Sequence, residues 1–186
     1  MKIPHLRWLM VGLIFLATVI NYIDRQTVSV LKTAISTDLG LSNADYAAIQ
    51  NSFLLMYGIS QMVSGRLYDR IGTRLGFVFS IVVWSGAAVA HAFAATSGMF
   101  KVFRGVLGFG EAGNFPAAIK VTAEWFPKKE RALATGIFNS GTNIGALVTP
   151  MVVPWITLYW GWYWAFVITG ALGFIWLFFW IPLYRA

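Results

Sequence analysis

Four ionisable residues lie inside stretches of this sequence that are otherwise apolar. Asp24 and Arg25 are adjacent, and Arg104 and Glu111 stand seven residues apart farther along the chain. A charge near the centre of a bilayer costs about 2.5 to 3.5 kcal/mol, so charges at that depth usually face a protein interior and mark a functional pathway. The two guanidinium groups favour an anionic ligand over a cationic one. The alternative is a set of static ion pairs that only fix helix register.

The elements that must position these charges are six apolar stretches, each near or above the roughly 20 residues that a spanning helix needs. The chain has 186 residues, 58% of them hydrophobic and 11% charged, whereas globular proteins have about 25% charged residues. This composition predicts an all-α membrane protein. We expect spanning helices at about 8–35, 44–67, 75–95, 99–122, 132–155 and 162–183.

The basic residues predict the orientation of these helices. The loops at about 36–43, 96–98 and 156–161 contain no lysine or arginine. The positive-inside rule therefore places both termini in the cytoplasm. The net charge of +7 does not indicate nucleic-acid binding, because the basic residues are dispersed in short loops. The basic residues of the cytoplasmic side are Lys2, Arg7, Arg66, Arg70, Arg74, Lys128, Lys129, Arg131 and Arg185.

Depth along the helices predicts which charges meet. At 1.5 Å per residue, Asp24 lies roughly 24 Å along the first helix. Arg104 and Glu111 lie roughly 8 Å and 18 Å from the start of the fourth helix, and they share a face with Gly108 between them. In a membrane core about 30 Å thick, Arg104 is then close to the level of Asp24. We expect Asp24 to pair with Arg104, and Arg25 with Glu111.

Other polar side chains recur on helix faces. Tyr57 and Gln61 lie one turn apart on the second helix, and Asn139, Thr142 and Asn143 share one face of the fifth. Individually these residues are typical of hydrogen bonds between helices. Together they indicate the lining of a water-accessible pathway.

Glycines suggest how the helices pack. Gly141 and Gly145 on the fifth predicted helix have the GxxxG spacing that permits two backbones to approach closely. The fourth predicted helix carries Gly105, Gly108, Gly110, Gly113 and Pro116. We expect tight packing or bending at both helices.

The stretch Gly65-x-x-x-Asp69-Arg70-x-Gly72-x-Arg74 joins the second and third predicted helices, and it resembles the signature loop of the major facilitator superfamily. Residues 21–25 (Asn-Tyr-Ile-Asp-Arg), 104–116 and 124–131 narrow the resemblance. They are similar to the anion:cation symporter branch, and most of all to bacterial hexuronate and related sugar-acid transporters. The resemblance covers essentially the whole chain.

The resemblance implies a fold and an activity. The fold is one six-helix half-bundle over residues 1–186, made of 3+3 inverted repeats, in the bacterial inner membrane. The activity is proton-coupled symport of a small organic anion, such as hexuronate, by alternating access. The protein would not be an enzyme and would need no cofactor beyond protons as the coupling ion.

The resemblance also implies residue roles. Asp24 and Glu111 respond to protons, Arg104 is the partner of the Asp24 carboxylate, and Arg25 meets the substrate carboxylate. The signature loop takes part in gating, with Asp69 latching this half to a carboxy-terminal half. Some relatives have glutamine where this chain has Thr142, which leaves the exact sugar acid open. The implied substrate-binding residues are Arg25, Tyr22, Tyr57, Gln61, Asn139, Thr142 and Asn143.

Several alternatives stay open. The chain resembles an amino-terminal half, so we expect a carboxy-terminal six-helix half as its partner. A non-transporting membrane sensor or assembly subunit on the same half-fold is the alternative function. Coupling to sodium in place of protons is also open. A membrane enzyme has little support, because His5 and His91 show no metal-ligand spacing and no nucleophile arrangement, and we predict no metal site.

Overall fold

The computed structural model describes residues 6–184, and helices account for nearly all of them. Two short 3-10 helices, His91–Phe93 and Lys128–Glu130, complete the described helical structure. The α-helices are α1 (Leu6–Val30), α2 (Lys32–Leu39), α3 (Asn43–Ile71), α4 (Thr73–Ala90), α5 (Ser97–Glu111), α6 (Asn114–Trp125), α7 (Arg131–Trp160) and α8 (Trp162–Leu183).

Four helical segments are long and apolar enough to cross a membrane, namely Leu6–Val30, Thr73–Phe93, Lys128–Trp160 and Trp162–Leu183. The helix α3 has 29 residues but is more polar along its length. The fourth predicted stretch, 99–122, is divided into α5 and α6. Pro116 has no N–H to donate to the carbonyl of Ala112, which contributes to the break between the two helices.

The helices pack in matched pairs. The most extensive contacts are those of α1 with α7, α3 with α5 and α4 with α8, and further contacts join α4 to α5 and α1 to α8. The glycine prediction for α7 is confirmed. A Cβ at Gly141 would lie 2.8 Å from the carbonyl oxygen of Phe15, and one at Gly145 would lie 2.7 Å from that of Val19. The absence of side chains here lets α7 lie directly against α1.

Gly108 lets α5 lie directly against α3, as Gly141 and Gly145 let α7 lie against α1. A Cβ at this position would lie 2.5 Å from the carbonyl oxygen of Phe53. Arg104 precedes Gly108 by about one helical turn, and this close approach accompanies its contacts with Gln50 and Phe53 of α3.

The surface of the bundle is apolar over large areas. Leu158 and Phe178 are 79% and 78% exposed, and Met62 is 82% exposed. Apolar surface of this extent is typical of a protein that contacts lipid or another membrane-embedded surface. The structure is therefore that of a multi-pass membrane protein.

Hydrogen bonds join α2 to the start of α8. The carboxylate of Asp38 accepts hydrogen bonds from Trp162 Nε1 at 3.0 Å and from the Tyr163 hydroxyl at 2.7 Å. These two donors lower the pKa of the Asp38 carboxyl.

Candidate functional site

Arg25 and Glu111 form an ion pair between α1 and α5. Arg25 Nε donates to Glu111 Oε2 at 2.9 Å, and the Glu111 side chain is fully buried. The predicted pairing of these two residues is confirmed. Arg25 keeps 22% of its side chain exposed, so this guanidinium can be reached from outside the bundle while its partner cannot.

Three aromatic rings surround the Arg25 guanidinium. Its central carbon lies 5.0 Å from the ring centroid of Tyr22, 5.2 Å from that of Phe53 and 4.6 Å from that of Tyr57. Each distance is within the range of a cation–π interaction. Arg25 Nη2 also donates a hydrogen bond to Asn21 Oδ1, one turn earlier on α1, at 3.4 Å. A guanidinium has five N–H donors, so Arg25 retains donors for a further anion.

Asp24 and Arg104 are not paired, and the prediction of an Asp24–Arg104 pair is wrong for this conformation. Arg104 Nη2 donates instead to the backbone carbonyl of Arg25 at 2.9 Å and to Gln50 Oε1 at 3.0 Å. Among the described residues, neither carboxylate oxygen of Asp24 has a hydrogen-bond partner. The Thr169 hydroxyl of α8 faces the Asp24 carboxylate. The prediction relied on height along each helix, and height does not fix the direction of a long side chain.

An open cleft of about 300 Å³ adjoins the charged residues. Both guanidinium groups reach it, together with amide and hydroxyl side chains that can donate to or accept from a polar ligand. The lining residues are Arg25, Gln26, Ser29, Gln50, Phe53, Leu54 and Arg104. The arrangement can bind an anion that also carries hydroxyl groups.

The other predicted binding residues divide into two groups. Gln61 Nε2 donates to the Tyr57 hydroxyl at 2.9 Å, so both residues belong to the region around Arg25. On α7, Asn139 and Asn143 are exposed, and the Thr142 hydroxyl donates to the carbonyl of Asn139 at 2.8 Å. No hydrogen bond between described residues joins this α7 face to the Arg25 region.

The signature loop lies at the junction of α3 and α4. Gly72 has φ 82° and ψ 155°, a backbone conformation that residues with a Cβ rarely adopt. This conformation explains why glycine occupies the position. Arg74 Nη2 donates to the carbonyl of Ile181 on α8 at 2.5 Å. Arg70 is exposed, and a Cβ at Gly65 would meet open space.

Asp69 of the same loop has a partner within this chain. Lys120 Nζ lies 2.5 Å from Asp69 Oδ1, and the Asp69 side chain is 68% exposed. The expectation that Asp69 latches a carboxy-terminal half is not tested by this contact, and an exposed carboxylate can exchange partners.

Sequence reasoning missed three side chains of the charged site. Gln50 and Phe53 of α3 contact the guanidinium groups, and Asn21 Nδ2 donates to the backbone carbonyl of Glu111 at 3.5 Å. Gln50 had a detectable signal, because it is an amide within an apolar stretch, as Gln61 is. Phe53 had none, since an aromatic residue there is typical of ordinary packing.

His91 is fully buried outside this site. Its Nδ1 lies 2.7 Å from the carbonyl of Ala87, and its ring stacks on Phe166 at 5.1 Å between centroids. No group of three or more potential metal ligands occurs among residues 6–184.

Fold and site together define an all-helical membrane protein with a buried cluster of charges beside an open cleft. Residues 14–186 match the family described as Major Facilitator Superfamily, and the chain belongs to this superfamily. The family and the relatives below are transporters.

The chain is 39% identical over 184 residues to the hexuronate transporter of Escherichia coli (strain K12), covering 99% of this chain and 43% of that protein. It is 36% identical to the galacturonate transporter of Dickeya chrysanthemi, covering 99% of this chain and 53% of the relative. The chain thus spans about half the length of these curated relatives.

A solved structure has the same fold. The inward-facing, occupied form of a bacterial homolog to the human lysosomal transporter Spinster matches with a TM-score of 0.84 at 23% identity. The match covers 100% of this chain and 45% of that one.

Proposed function

We propose that this chain is the substrate- and proton-binding half of a secondary transporter that takes up a sugar acid together with protons by alternating access. The observation that carries the proposal is the Arg25–Glu111 ion pair, which is buried on its acidic side and accessible on its basic side. A carboxylate in the cleft can reach Arg25, and it then competes with Glu111 for the same guanidinium.

The competition gives a physical basis for coupling. If a substrate carboxylate takes Arg25, an ionised Glu111 is left in a buried position without its partner, which is strongly unfavourable. Protonation of Glu111 removes that penalty. Proton binding and anion binding therefore favour each other, and this reciprocity is what symport requires. Asp24 is the second acid in the same proposal, with Arg104 as its neighbour.

The membrane arrangement follows the same proposal. Six spans are formed by α1 with the first turn of α2, by α3, by α4, by α5 with α6, by α7 and by α8. Both termini lie in the cytoplasm of a bacterium and the spans in its inner membrane. Packing of α1 on α7 and of α3 on α5 supports two inverted three-helix repeats, because the repeat operation exchanges these two contacts.

The substrate class rests on relatives and on chemistry. Relatives include transporters named for hexuronate and galacturonate and one named as a probable galactarate/D-glucarate transporter. Hexuronates carry one carboxylate and aldarates carry two, and all of them carry several hydroxyls. We assign the carboxylate to Arg25, and the hydroxyl contacts to Tyr22, Tyr57 and Gln61.

The polar face of α7 has a role in the complete transporter. Asn139 and Asn143 are exposed here, and a second six-helix half, as in the longer relatives, would place a cavity between the halves. We propose that this face, with Thr142, lines that cavity. Asp69 would then exchange its contact with Lys120 for a contact with the second half during gating.

The experiment uses the full-length protein in two steps. A thermal-shift panel of hexuronates, aldonates, aldarates and neutral sugars identifies the ligand, and uptake into proteoliposomes under an inward proton gradient tests coupling. We expect a sugar acid to stabilise the protein and to accumulate only with the gradient, with or without sodium. Stabilisation by neutral sugars alone would contradict the anion assignment, and a strict need for sodium would contradict proton coupling.

A further inference from the structure

We propose that Gln50 is a positioning residue that holds Arg104 away from Asp24 and thereby sets the pH at which the transporter loads its proton. The inference rests on the proposed function. It concerns a neutral residue of α3 that accepts a hydrogen bond from Arg104.

Every polar atom of the Gln50 side chain is engaged. Oε1 accepts from Arg104 Nη2 at 3.0 Å, while Nε2 donates to Ser29 Oγ at 3.0 Å and to the Tyr46 hydroxyl at 2.9 Å. The amide is thus fixed from α1 and from its own helix, and it presents its acceptor to α5. A side chain held in this way is a preorganised acceptor for one position of Arg104.

Within residues 6–184, Asp24 and Arg104 both have buried polar atoms without hydrogen-bond partners. Both carboxylate oxygens of Asp24 lack hydrogen-bond partners among the described residues, and so do Nε and Nη1 of Arg104. Asp24 is 2% exposed and Arg104 1% exposed. An ionised carboxylate this deeply buried and without a partner is strongly unfavourable, so this arrangement fits a neutral, protonated Asp24.

Two positions of Arg104 follow from this. With Asp24 protonated, Arg104 rests on Gln50 and the Arg25 carbonyl. With Asp24 ionised, its charge attracts Arg104, and movement of the guanidinium toward Asp24 weakens its contact with Gln50. Gln50 and the Asp24 carboxylate are therefore competing partners of one guanidinium, and the strength of the Gln50 contact sets how readily Asp24 gives up its proton.

Of the two competing partners of Arg104, Gln50 is neutral and Asp24 can ionise. The groups with charge or titratable character that face Arg104 are Asp24 and Arg25 from α1, Tyr46 from α3, Glu111 from α5 and His91 from the 3-10 helix after α4. Those that face Asp24 are Arg104 and Glu111, with the neutral Thr169 from α8. Gln50 carries no proton equilibrium of its own, so its hold on Arg104 is independent of pH.

The test measures sugar-acid uptake by the full-length protein in proteoliposomes as a function of external pH. Gln50→Leu removes the acceptor and frees Arg104 for Asp24, so half-maximal uptake should move to lower pH by about one unit. Gln50→Glu holds Arg104 more firmly through a charged contact, so half-maximal uptake should move to higher pH by a similar amount. Opposite shifts at one position are not expected of a residue that only supports the fold.

Two further variants keep the test decisive. Ser52→Ala, on the same helix, removes a hydroxyl that donates to the carbonyl of Ala48 and should leave the pH profile unchanged. Gln50→Asn keeps the amide on a shorter side chain and should shift the profile less than Gln50→Leu but in the same direction. If Gln50→Leu does not fold, Gln50→Asn replaces it as the test variant.

The outcomes separate this inference from the proposed function. If the wild-type protein shows no proton-driven uptake of any sugar acid, the proposed function fails. If the wild-type protein is coupled while the Gln50 variants keep its pH profile, or all shift it in one direction, the positioning role of Gln50 is overturned.

Discussion

Two ion pairs of similar length lie in different parts of the molecule, and their difference in burial separates their roles. Arg25 and Glu111 meet at 2.9 Å with Glu111 fully buried, whereas Asp69 and Lys120 meet at 2.5 Å with Asp69 68% exposed. An exposed pair contributes about 0 to 1 kcal/mol, while removing one partner of a buried pair costs about 3 to 5 kcal/mol. The proposed coupling of a proton to an anion therefore rests on the buried pair.

The largest expected effect is at Arg25. Arg25→Ala removes the guanidinium to which we assign the substrate carboxylate, and it should weaken sugar-acid binding by at least about 30-fold, equivalent to about 2 kcal/mol. Arg25→Lys is the matched control, because it keeps the charge but not the planar fork, and it should restore binding only in part. Calorimetric titration of the purified full-length protein gives the dissociation constants. Near-normal affinity in Arg25→Ala would remove Arg25 from the site.

Glu111→Gln should separate binding from coupling. The amide cannot take up a proton, so binding and counterflow exchange should persist while accumulation driven by a pH gradient is lost. Glu130→Gln is the control, since Glu130 pairs with Arg7 at 3.1 Å in a partly exposed position and should leave accumulation intact. Uptake in proteoliposomes with and without a gradient measures both. Unchanged concentrative uptake in Glu111→Gln would rule out the coupling role.

Packing beside the buried pair should be less tolerant than packing elsewhere on the same helix. A Cβ at Gly145 would lie 2.7 Å from both Tyr22 Cβ and the carbonyl oxygen of Val19, so Gly145→Ala should destabilise the protein by about 1 to 3 kcal/mol. A Cβ at Gly136 of the same helix would meet open space, so Gly136→Ala should be neutral or slightly stabilising. Thermal unfolding in detergent compares the two variants. Equal melting temperatures would show that α1 and α7 can move apart without penalty.

The smallest expected effect is at the exposed pair. Lys120→Ala leaves Asp69 in contact with solvent, so stability should change by less than about 1 kcal/mol and sugar-acid affinity should stay at the wild-type value. The same titration and unfolding measurements apply. A loss of affinity comparable with that of Arg25→Ala would break the distinction between the two pairs.

The sequence predicted the parts of this molecule that depend on position along a helix. The Arg25–Glu111 pair and the close approach at Gly141 and Gly145 follow from helical rise and spacing, and the structure contains both. Packing or bending of the fourth stretch was expected from its glycines and Pro116, but its full division into α5 and α6 was not.

The direction of Arg104 could not be predicted. It depends on the backbone carbonyl of Arg25 and on Gln50. Every residue has a backbone carbonyl, so residue type does not indicate which one accepts a hydrogen bond. A long side chain between two acceptors is placed by tertiary geometry, which residue spacing does not encode.

The most direct test of the account is the number of protons that the protein takes up when a sugar acid binds. Calorimetric titrations in buffers of different ionisation enthalpy give this number without a membrane gradient. If the substrate displaces Glu111 from Arg25, binding at a pH where the ion pair is intact should take up about one proton per anion, and Glu111→Gln should lose this uptake. Binding of a sugar acid to the wild-type protein with no proton uptake at any pH would contradict the account.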